Sequence, residues 1–431
     1  MFRRPKDPVA ISLFALAFLA HAILLVVVIP KISYRLHASY NQETYADGYD
    51  QLAANLAEGN GYRMYPDTAK TLMREPGYPI LLAGIFSTFG NNFAVVKLAN
   101  MLMVFAVTWL MTRISRGLSQ NPVMILGPPL IFLFHPAILI AESRGGTEVL
   151  YTLFLALFMC TLFAAVNSNG TWHYAASGGV LGLTLLVRSV PILFPVFVLA
   201  YLLVFERQRN QNVLNLFRNI ALMIVAMFVV LSPWIIRNYR LTGKFVPTAS
   251  VVGVSAQAGE YIFVHNSSHD DRFRMDGEAA AERNALAHEL AYPFKEGYYQ
   301  CFYSTGDELK FSNYLLQRVT GDYRRSPRLF IRVIFTNLVY FWVGGKTDDS
   351  VKMNITVQFP LLILAGIGVA LSARDGQLKV VAPMILLIVY SMVISAPILA
   401  QARYSVPVIP YVAILACIPL LTLRRLVGNQ S

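Results

Sequence analysis

Charge is what this sequence has least of. Asp, Glu, Lys and Arg make up 14% of its 431 residues, against about 25% in an ordinary soluble protein. Hydrophobic residues reach 56% and are gathered into long blocks, giving a mean hydropathy of +0.51. A soluble fold of this size needs more polar surface than the chain owns, which excludes a soluble enzyme and a disordered chain. Cysteine is nearly absent: Cys160 and Cys417 fall in apolar runs and Cys301 in a polar region, so no disulfide framework forms. No C-x-x-C or His-rich tract offers a metal site. Acidic residues are the scarcer sign, 24 against 36 Lys and Arg, for a net charge of +12. In a polytopic membrane protein that excess points to positive-inside loops and anionic lipid before nucleic acid.

The first apolar run, Ala10–Ile29, is longer than the roughly 7–15-residue core of a signal peptide. It continues through Ala20-His21-Ala22, a triplet that mimics a cleavage site, and reads as an uncleaved span with a cytoplasmic N-terminus. The other runs of spanning length, about 17–25 residues, are Phe93–Met111, Pro122–Ala141, Thr147–Val166, Ile220–Ile236, Ile355–Leu371, Val380–Ala400 and Val406–Leu423. Ala175–Phe205 is too long for one span and is broken by Arg188, Pro191 and Pro195, so it reads as two short helices. Leu329–Val343 is short, carries Arg332 and reads as an interfacial helix. The sum is ten spans with both ends inside. Arg3, Arg4, Lys6, Arg113, Arg116, Arg207, Arg209, Arg218, Arg374, Lys379, Arg424 and Arg425 then lie in inside loops, as the positive-inside rule expects.

The fold class expected is therefore an all-α polytopic membrane bundle of about ten helices, with amphipathic interfacial helices and an external loop region. It divides into three parts: residues 1–236 with a first external loop at about 31–92, an external segment over 237–354, and C-terminal helices over 355–431. Long polar segments on one face suggest a catalytic or binding surface.

In the first external loop, the stretch from Thr44 to Glu58 has the pattern of a short amphipathic helix. Asp47, Asp50, Gln51 and Glu58 share one face, and Gly59 and Gly61 are placed to stop it. Thr44-x-x-Asp47 also fits a capping box, in which Asp47 only closes the helix start, while Asp50 and Glu58 fit a solvated face. Further on, Pro76, Gly77 and Pro79 set a rigid turn that fixes Arg74 and Glu75, a pair whose plainest role is a weak local ion pair.

These residues form D-x-Y-x-x-L-A-x-x-L-x-x-G-x-G-Y from Asp47 and R-E-P-G-Y-P from Arg74. Glu148 opens the fourth span, Pro233-Trp234-x-x-Arg237-Asn238-Tyr239 closes a later one, and Arg403-Tyr404-x-x-Pro407-x-x-Pro410 precedes the last. In this order, from residue 1 to about 425, the set resembles the GT-C glycosyltransferases, closest to the protein O-mannosyltransferase and aminoarabinose-transferase-like branch. The segment 255–325 is the least distinctive part.

The resemblance implies a GT-C bundle that moves a sugar from a polyprenyl-phosphate donor to an acceptor hydroxyl on the external, periplasmic face, with inversion. It implies Asp47 as general base and Asp50 as the fallback. A lipid phosphate leaving group requires cations, for which guanidinium forks are suited; Arg74, Arg144, Arg188, Arg237 and Arg403 are the candidates. Arginines at a membrane boundary also snorkel to headgroups. Glu75, Glu148, Asn238 and Tyr404 complete the implied donor site, with Glu148 equally readable as a helix N-terminal acid.

No cofactor and no obligatory metal are expected. The expected partners are the lipid-linked donor, a lipid, polysaccharide or protein acceptor, and membrane lipids, with no nucleic acid. The location implied is the bacterial inner membrane, with both termini cytoplasmic. A lipid-linked sugar flippase or transporter would show internal repeats, of which none is convincing; an O-antigen ligase or polymerase would place its key residues in later loops; a non-catalytic assembly subunit is the third alternative. His135 reads as a packed polar residue, and His265, His269 and His288 as solvated. Tyr298, Tyr299, Phe302 and Tyr303 read as packing or as a sugar-stacking wall. Asn266-Ser267-Ser268 matches a glycosylation acceptor.

Overall fold

The computed structural model of the chain describes residues 8–29, 31, 47–168, 170–205, 212–265, 272–297, 299–345 and 347–428. Thr44, Tyr298, His269, the Asn266 sequon, Arg207, Arg209 and the N-terminal basic residues lie outside these. The described chain is almost entirely helical. Helix α1 (Pro8–Ile23) runs on into a π-turn at Leu24–Val28. The loop between the first two apolar runs carries α2 (Tyr49–Ala57) and α3 (Gly77–Phe89). Next come α4 (Phe93–Leu118), α5 (Pro122–Leu133), α6 (Pro136–Glu142), α7 (Glu148–Ser168), α8 (Thr171–Val187), α9 (Phe194–Phe205) and α10 (Val213–Thr242). The segment after α10 holds α11 (Val252–His265), α12 (Arg272–Glu289), a two-stranded hairpin of β1 (Phe294–Lys295) and β2 (Cys301–Phe302), α13 (Thr305–Arg325) and α14 (Pro327–Val343). The chain ends with α15 (Asp348–Arg374), α16 (Leu378–Ser395), short 3-10 turns at Ala402–Tyr404 and Val406–Val408, and α17 (Ile409–Gly428).

The apolar runs become helices with side-chain caps where the sequence supplies them. Asn92, Asn121 and Asn212 each accept an amide hydrogen bond at the first turn of α4, α5 and α10, as short polar N-caps do. Two breaks are set by proline, which lacks the amide a continuous helix needs. At His135-Pro136 the chain bends by 55° between α5 and α6, with His135 Nδ1 accepting from Ala137 N to cap the new helix. Between α8 and α9, Arg188 is extended at φ −150° and Pro191 leaves helical geometry, so the expected division of Ala175–Phe205 is present.

The expected number of ten spans is not reached by length and hydropathy. Six helices among the described residues are long and apolar enough to cross alone, and seven with the bent α5–α6 pair. The remaining three expected spans are helical in place, but the split that Arg188 and Pro191 impose leaves α8 with 17 residues and α9 with 12. The Leu329–Val343 expectation corresponds to α14, which buries Val333, Asn337 and Phe341 on one side and exposes Ile331, Phe335 and Val339 on the other.

Helix α17 is enclosed by its neighbours: Tyr411, Ala413, Ile414 and Cys417 have no exposed surface. The first loop docks onto the later segment through its backbone. Ser250 N donates to Leu72 O at 2.8 Å, Ala69 N to Phe302 O at 3.0 Å and Thr305 Oγ1 to Lys70 O at 2.6 Å. Segments far apart in the sequence therefore meet in one layer.

Candidate active site

The first loop enters the site through a tight left-handed turn. Asp47 has φ 60° and Gly48 φ 73°, and α2 begins only at Tyr49, with Gly48 as an N-cap that makes no side-chain bond. The capping box expected at Asp47 is thus corrected: the residue precedes the helix, and its carboxylate is engaged elsewhere. A non-glycine residue in this region costs of order 1–3 kcal/mol and persists where its surroundings over-determine it.

Those surroundings are guanidinium groups. Asp47 Oδ2 lies 3.0 Å from Arg403 Nη1 and Oδ1 lies 3.7 Å from Arg74 Nη2. Arg74 Nε also donates to the Asp47 carbonyl at 3.3 Å, and the Tyr299 hydroxyl donates to Oδ1 at 3.3 Å. From Arg403 the cluster continues to Glu148 Oε1 at 3.9 Å, which is in turn 3.6 Å from Arg188 Nη2. Arg188 lies over the Tyr404 ring at 5.0 Å and Arg403 over the same ring at 5.4 Å. Arg74 lies over Tyr299 at 5.2 Å. Burial alone would raise the Asp47 carboxyl, but Arg403, Arg74 and Arg188 outweigh it and hold it well below the usual carboxylate range. The cluster is accessible, with Arg403 33% and Asp47 21% exposed.

The R-E-P-G-Y-P turn places Arg74. Glu75 is buried and its Oε1 accepts from Ser189 N at 3.0 Å, tying this turn to the α8–α9 break that carries Arg188. Gly77 permits the contact: a Cβ there would sit 2.8 Å from the Leu186 carbonyl oxygen and from Val187 Cγ2. The buried Tyr62 hydroxyl lies 3.0 Å from both the Arg74 and Glu75 carbonyls and donates to them.

Of the residues expected at the site, the structure brings together Asp47, Arg74, Glu148, Arg188, Arg403 and Tyr404, with Glu75 behind them. It does not bring in Asp50, which lies half-buried in the first turn of α2, with no arginine ion pair among the described residues; burial pushes its carboxyl up. Arg237 and Asn238 are engaged in fastening. Arg237 Nη2 donates to Thr71 O at 3.0 Å and Nη1 to Asn238 Oδ1 at 2.9 Å, while the guanidinium lies 4.3 Å from the Trp234 ring centroid. Asn238 Nδ2 donates to Val246 O at 2.9 Å. The Arg144 backbone carbonyl accepts from Asn100 Nδ2 at 3.0 Å.

Sequence reasoning missed Glu308, which lies in the segment least like any motif. Its Oε2 accepts from Thr71 Oγ1 at 2.6 Å, and its Oε1 from Leu72 N and Ser250 Oγ at 2.8 Å each. Burial pushes this carboxyl up, against the pull of those hydrogen bonds. The aromatic run divides: Phe302 packs in a small core with Phe311 and Leu315, Tyr303 is exposed, and Tyr299 reaches Asp47. His265 stacks on Tyr261 and His288 pairs with Glu296 on the surface. Among the described residues, no three His, Cys, Asp or Glu side chains are gathered as a metal site.

Residues 73–236 match the family model described as dolichyl-phosphate-mannose-protein mannosyltransferase, a segment that contains Arg74, Glu75, Glu148 and Arg188. No curated protein matches significantly. The fold is similar to that of the Archaeoglobus fulgidus oligosaccharyltransferase solved with a tethered acceptor peptide. The TM-score is 0.52 at 13% identity, over 97% of this chain and 50% of that one, so the chain spans half that protein's length. ArnT from Cupriavidus metallidurans bound to undecaprenyl phosphate aligns at a TM-score of 0.42 and 12% identity, over 94% of this chain and 78% of that one. The chain is thus a multi-pass membrane protein by its six long apolar helices, with residues 73–236 matching the dolichyl-phosphate-mannose-protein mannosyltransferase family model and a fold similar to that of the oligosaccharyltransferase.

Proposed function

We propose that the protein is a membrane glycosyltransferase that moves a sugar from a polyprenyl-phosphate donor to an acceptor hydroxyl, with Asp47 as general base. The observation that carries this reading is the Asp47 carboxylate held between Arg403 and Arg74 at 3.0 and 3.7 Å, with Arg188 and Glu148 beside them. In the reaction, the acceptor hydroxyl gives its proton to Asp47 and its oxygen bonds to the anomeric carbon. The bond from that carbon to the phosphate oxygen breaks, and its electron pair goes to the phosphate. Arg403, Arg74 and Arg188 receive the developing charge, the role fixed cations play best in a water-poor site.

A carboxylate paired with two guanidiniums is a weak base. The donor phosphate competes for the same guanidiniums, so Asp47 regains basicity when donor is bound. Attack from the face opposite the phosphate inverts the anomeric centre. The site lies on the periplasmic side of a bacterial inner membrane, with both termini cytoplasmic, and the acceptor is a lipid, polysaccharide or protein hydroxyl.

The test is transfer by the purified protein from a labelled polyprenyl-phosphate sugar, wild type against Asp47→Asn. Loss of the general base is expected to slow transfer by about 10²–10⁴. Transfer by Asp47→Asn at the wild-type rate would overturn the assignment. Labelled sugar lipid crossing a sealed bilayer without transfer would replace the enzyme with a flippase.

A further inference from the structure

One buried titratable pair has no part in the chemistry above. His21, in α1, and Glu142, the last residue of α6, both have 0% exposed surface, and His21 Nε2 lies 2.7 Å from Glu142 Oε2. The other ring nitrogen, Nδ1, lies 2.8 Å from the Leu133 carbonyl, at the end of α5. A carbonyl only accepts, so Nδ1 carries a hydrogen and donates it. That leaves the Nε2–Oε2 bond with one proton to share: either an imidazolium donates to a carboxylate or a protonated Glu142 donates to a neutral ring. The pair is neutral overall in both forms, which makes its complete burial in an apolar bundle tolerable.

The pair joins three elements at one point, since His21 holds both sides of the 55° break between α5 and α6. Beyond Glu142 the chain runs through an irregular five-residue link, 143–147, with glycines at 145 and 146, directly to Glu148. Two glycines give such a link more conformational freedom than any other pair would. It is fixed at its start by the histidine and by Asn100 Nδ2, which donates at 3.0 Å to both the Glu142 and the Arg144 carbonyls. At its far end, Glu148 stands 3.6 Å from Arg188 and 3.9 Å from Arg403.

We infer that the His21–Glu142 hydrogen bond is a latch that positions the 143–147 link, and through it Glu148, against the arginines of the active site. His21 and Glu142 are positioning residues in this assignment: neither touches Asp47 or an arginine of the cluster, and each acts through the link. The effect on catalysis rests on the glycosyltransferase reading; the effect on the link does not.

The test compares Glu142→Met with Glu142→Gln. Methionine removes the bond without leaving a buried charge unpaired, whereas the glutamine amide can donate to the neutral Nε2 and keep it. Hydrogen–deuterium exchange of the full-length protein in detergent reads the link directly. In Glu142→Met, the amides of 143–147 are expected to exchange about tenfold faster, those of α17 are expected to be unchanged, and Glu142→Gln is expected to match wild type. Wild-type exchange at 143–147 in Glu142→Met would overturn the latch, as would Glu142→Gln behaving like Glu142→Met. Transfer kinetics read the second step: Glu142→Met is expected to lower kcat/KM for the donor about tenfold, and to lower it no further in a Glu148→Gln background. A penalty that adds in full to that of Glu148→Gln would show that the latch does not act through Glu148. Should wild type transfer no sugar, the glycosyltransferase reading fails while the exchange measurement still decides the latch.

Discussion

Asp47 and Glu308 are both carboxylates at contacts between the first loop and residues far away in sequence, and their surroundings are opposite. Glu308 is 7% exposed and its oxygens are filled by neutral donors: a threonine hydroxyl, a serine hydroxyl and a backbone amide. Asp47 is held by guanidinium charges, one of them at a loose 3.7 Å, and stays partly open to solvent. The same division runs through the arginines. Arg237 donates to the fixed Thr71 carbonyl and the Asn238 amide oxygen, whereas Arg74, Arg188 and Arg403 face carboxylates across 3.0–3.9 Å. Neutral, short hydrogen bonds tie the loop in place; looser pairs of opposite charge can be exchanged for an incoming phosphate. Residue type alone does not separate the two kinds of site, and partner chemistry does.

The widest break in that comparison comes from changing each carboxylate to its amide. Asp47→Asn is expected to lose transfer by about 10²–10⁴, while Glu308→Gln stays within about tenfold of wild type, because its role is to fix the loop and not to move a proton. Next in size is Arg403→Ala, which removes the cation proposed to receive the leaving-group charge and is expected to cost about 10²–10³ in kcat. Arg237→Lys is expected to act mainly on stability, read as a lower Tm with kcat nearly kept. Gly77→Ala forces a methyl against the Leu186 carbonyl, an overpacking penalty of about 1–3 kcal/mol, with a fall in activity as the Arg74 turn moves away from Arg188.

Acidity should separate the two carboxylates by sign. Asp47 is depressed in the folded state, so its contribution to stability is present above the unfolded pKa of about 3.9 and is lost as pH falls through the lower folded value. Glu308 is raised, so its contribution is complete below the unfolded pKa of about 4.3 and is lost as pH rises through the folded value. Melting curves against pH should show Asp47→Asn removing the low-pH decline and Glu308→Gln removing the decline on the other side. The smallest effect is expected from Asp50→Asn, which has no arginine ion pair to release among the described residues and should change kcat by less than about threefold. A loss as large as that of Asp47→Asn would move the base one helical turn along.

Much of this architecture was legible because it is written in local pattern. The long apolar runs and the break at Arg188 and Pro191 arise from hydropathy and proline chemistry. Asp47, Arg74, Glu148 and Arg403 were legible as candidates through their motifs, and Arg188 as a cation that interrupts an apolar run. The pairing of Asp47 with Arg403 was not, since it joins positions 356 residues apart and no local rule reports such a contact. The capping box failed because an aspartate next to glycine can enter the left-handed region, which moves it off the helix that its spacing implied. Glu308 was invisible because its segment has no distinctive motif and a buried acid tied by hydroxyls leaves no periodic signal. Arg237 was misleading for the opposite reason: it lies in a motif, but the motif there fastens the loop.

The central claim is that Asp47 acts chemically within a cation cluster that binds donor phosphate whether or not the base is present. The most direct measurement is therefore single-turnover transfer by Asp47→Asn loaded with labelled polyprenyl-phosphate sugar, together with the affinity for that donor. The prediction is donor affinity equal to or tighter than wild type, since Arg403 and Arg74 are released from their carboxylate, with transfer slowed by about 10²–10⁴. Donor bound normally and transferred at the wild-type rate would contradict it.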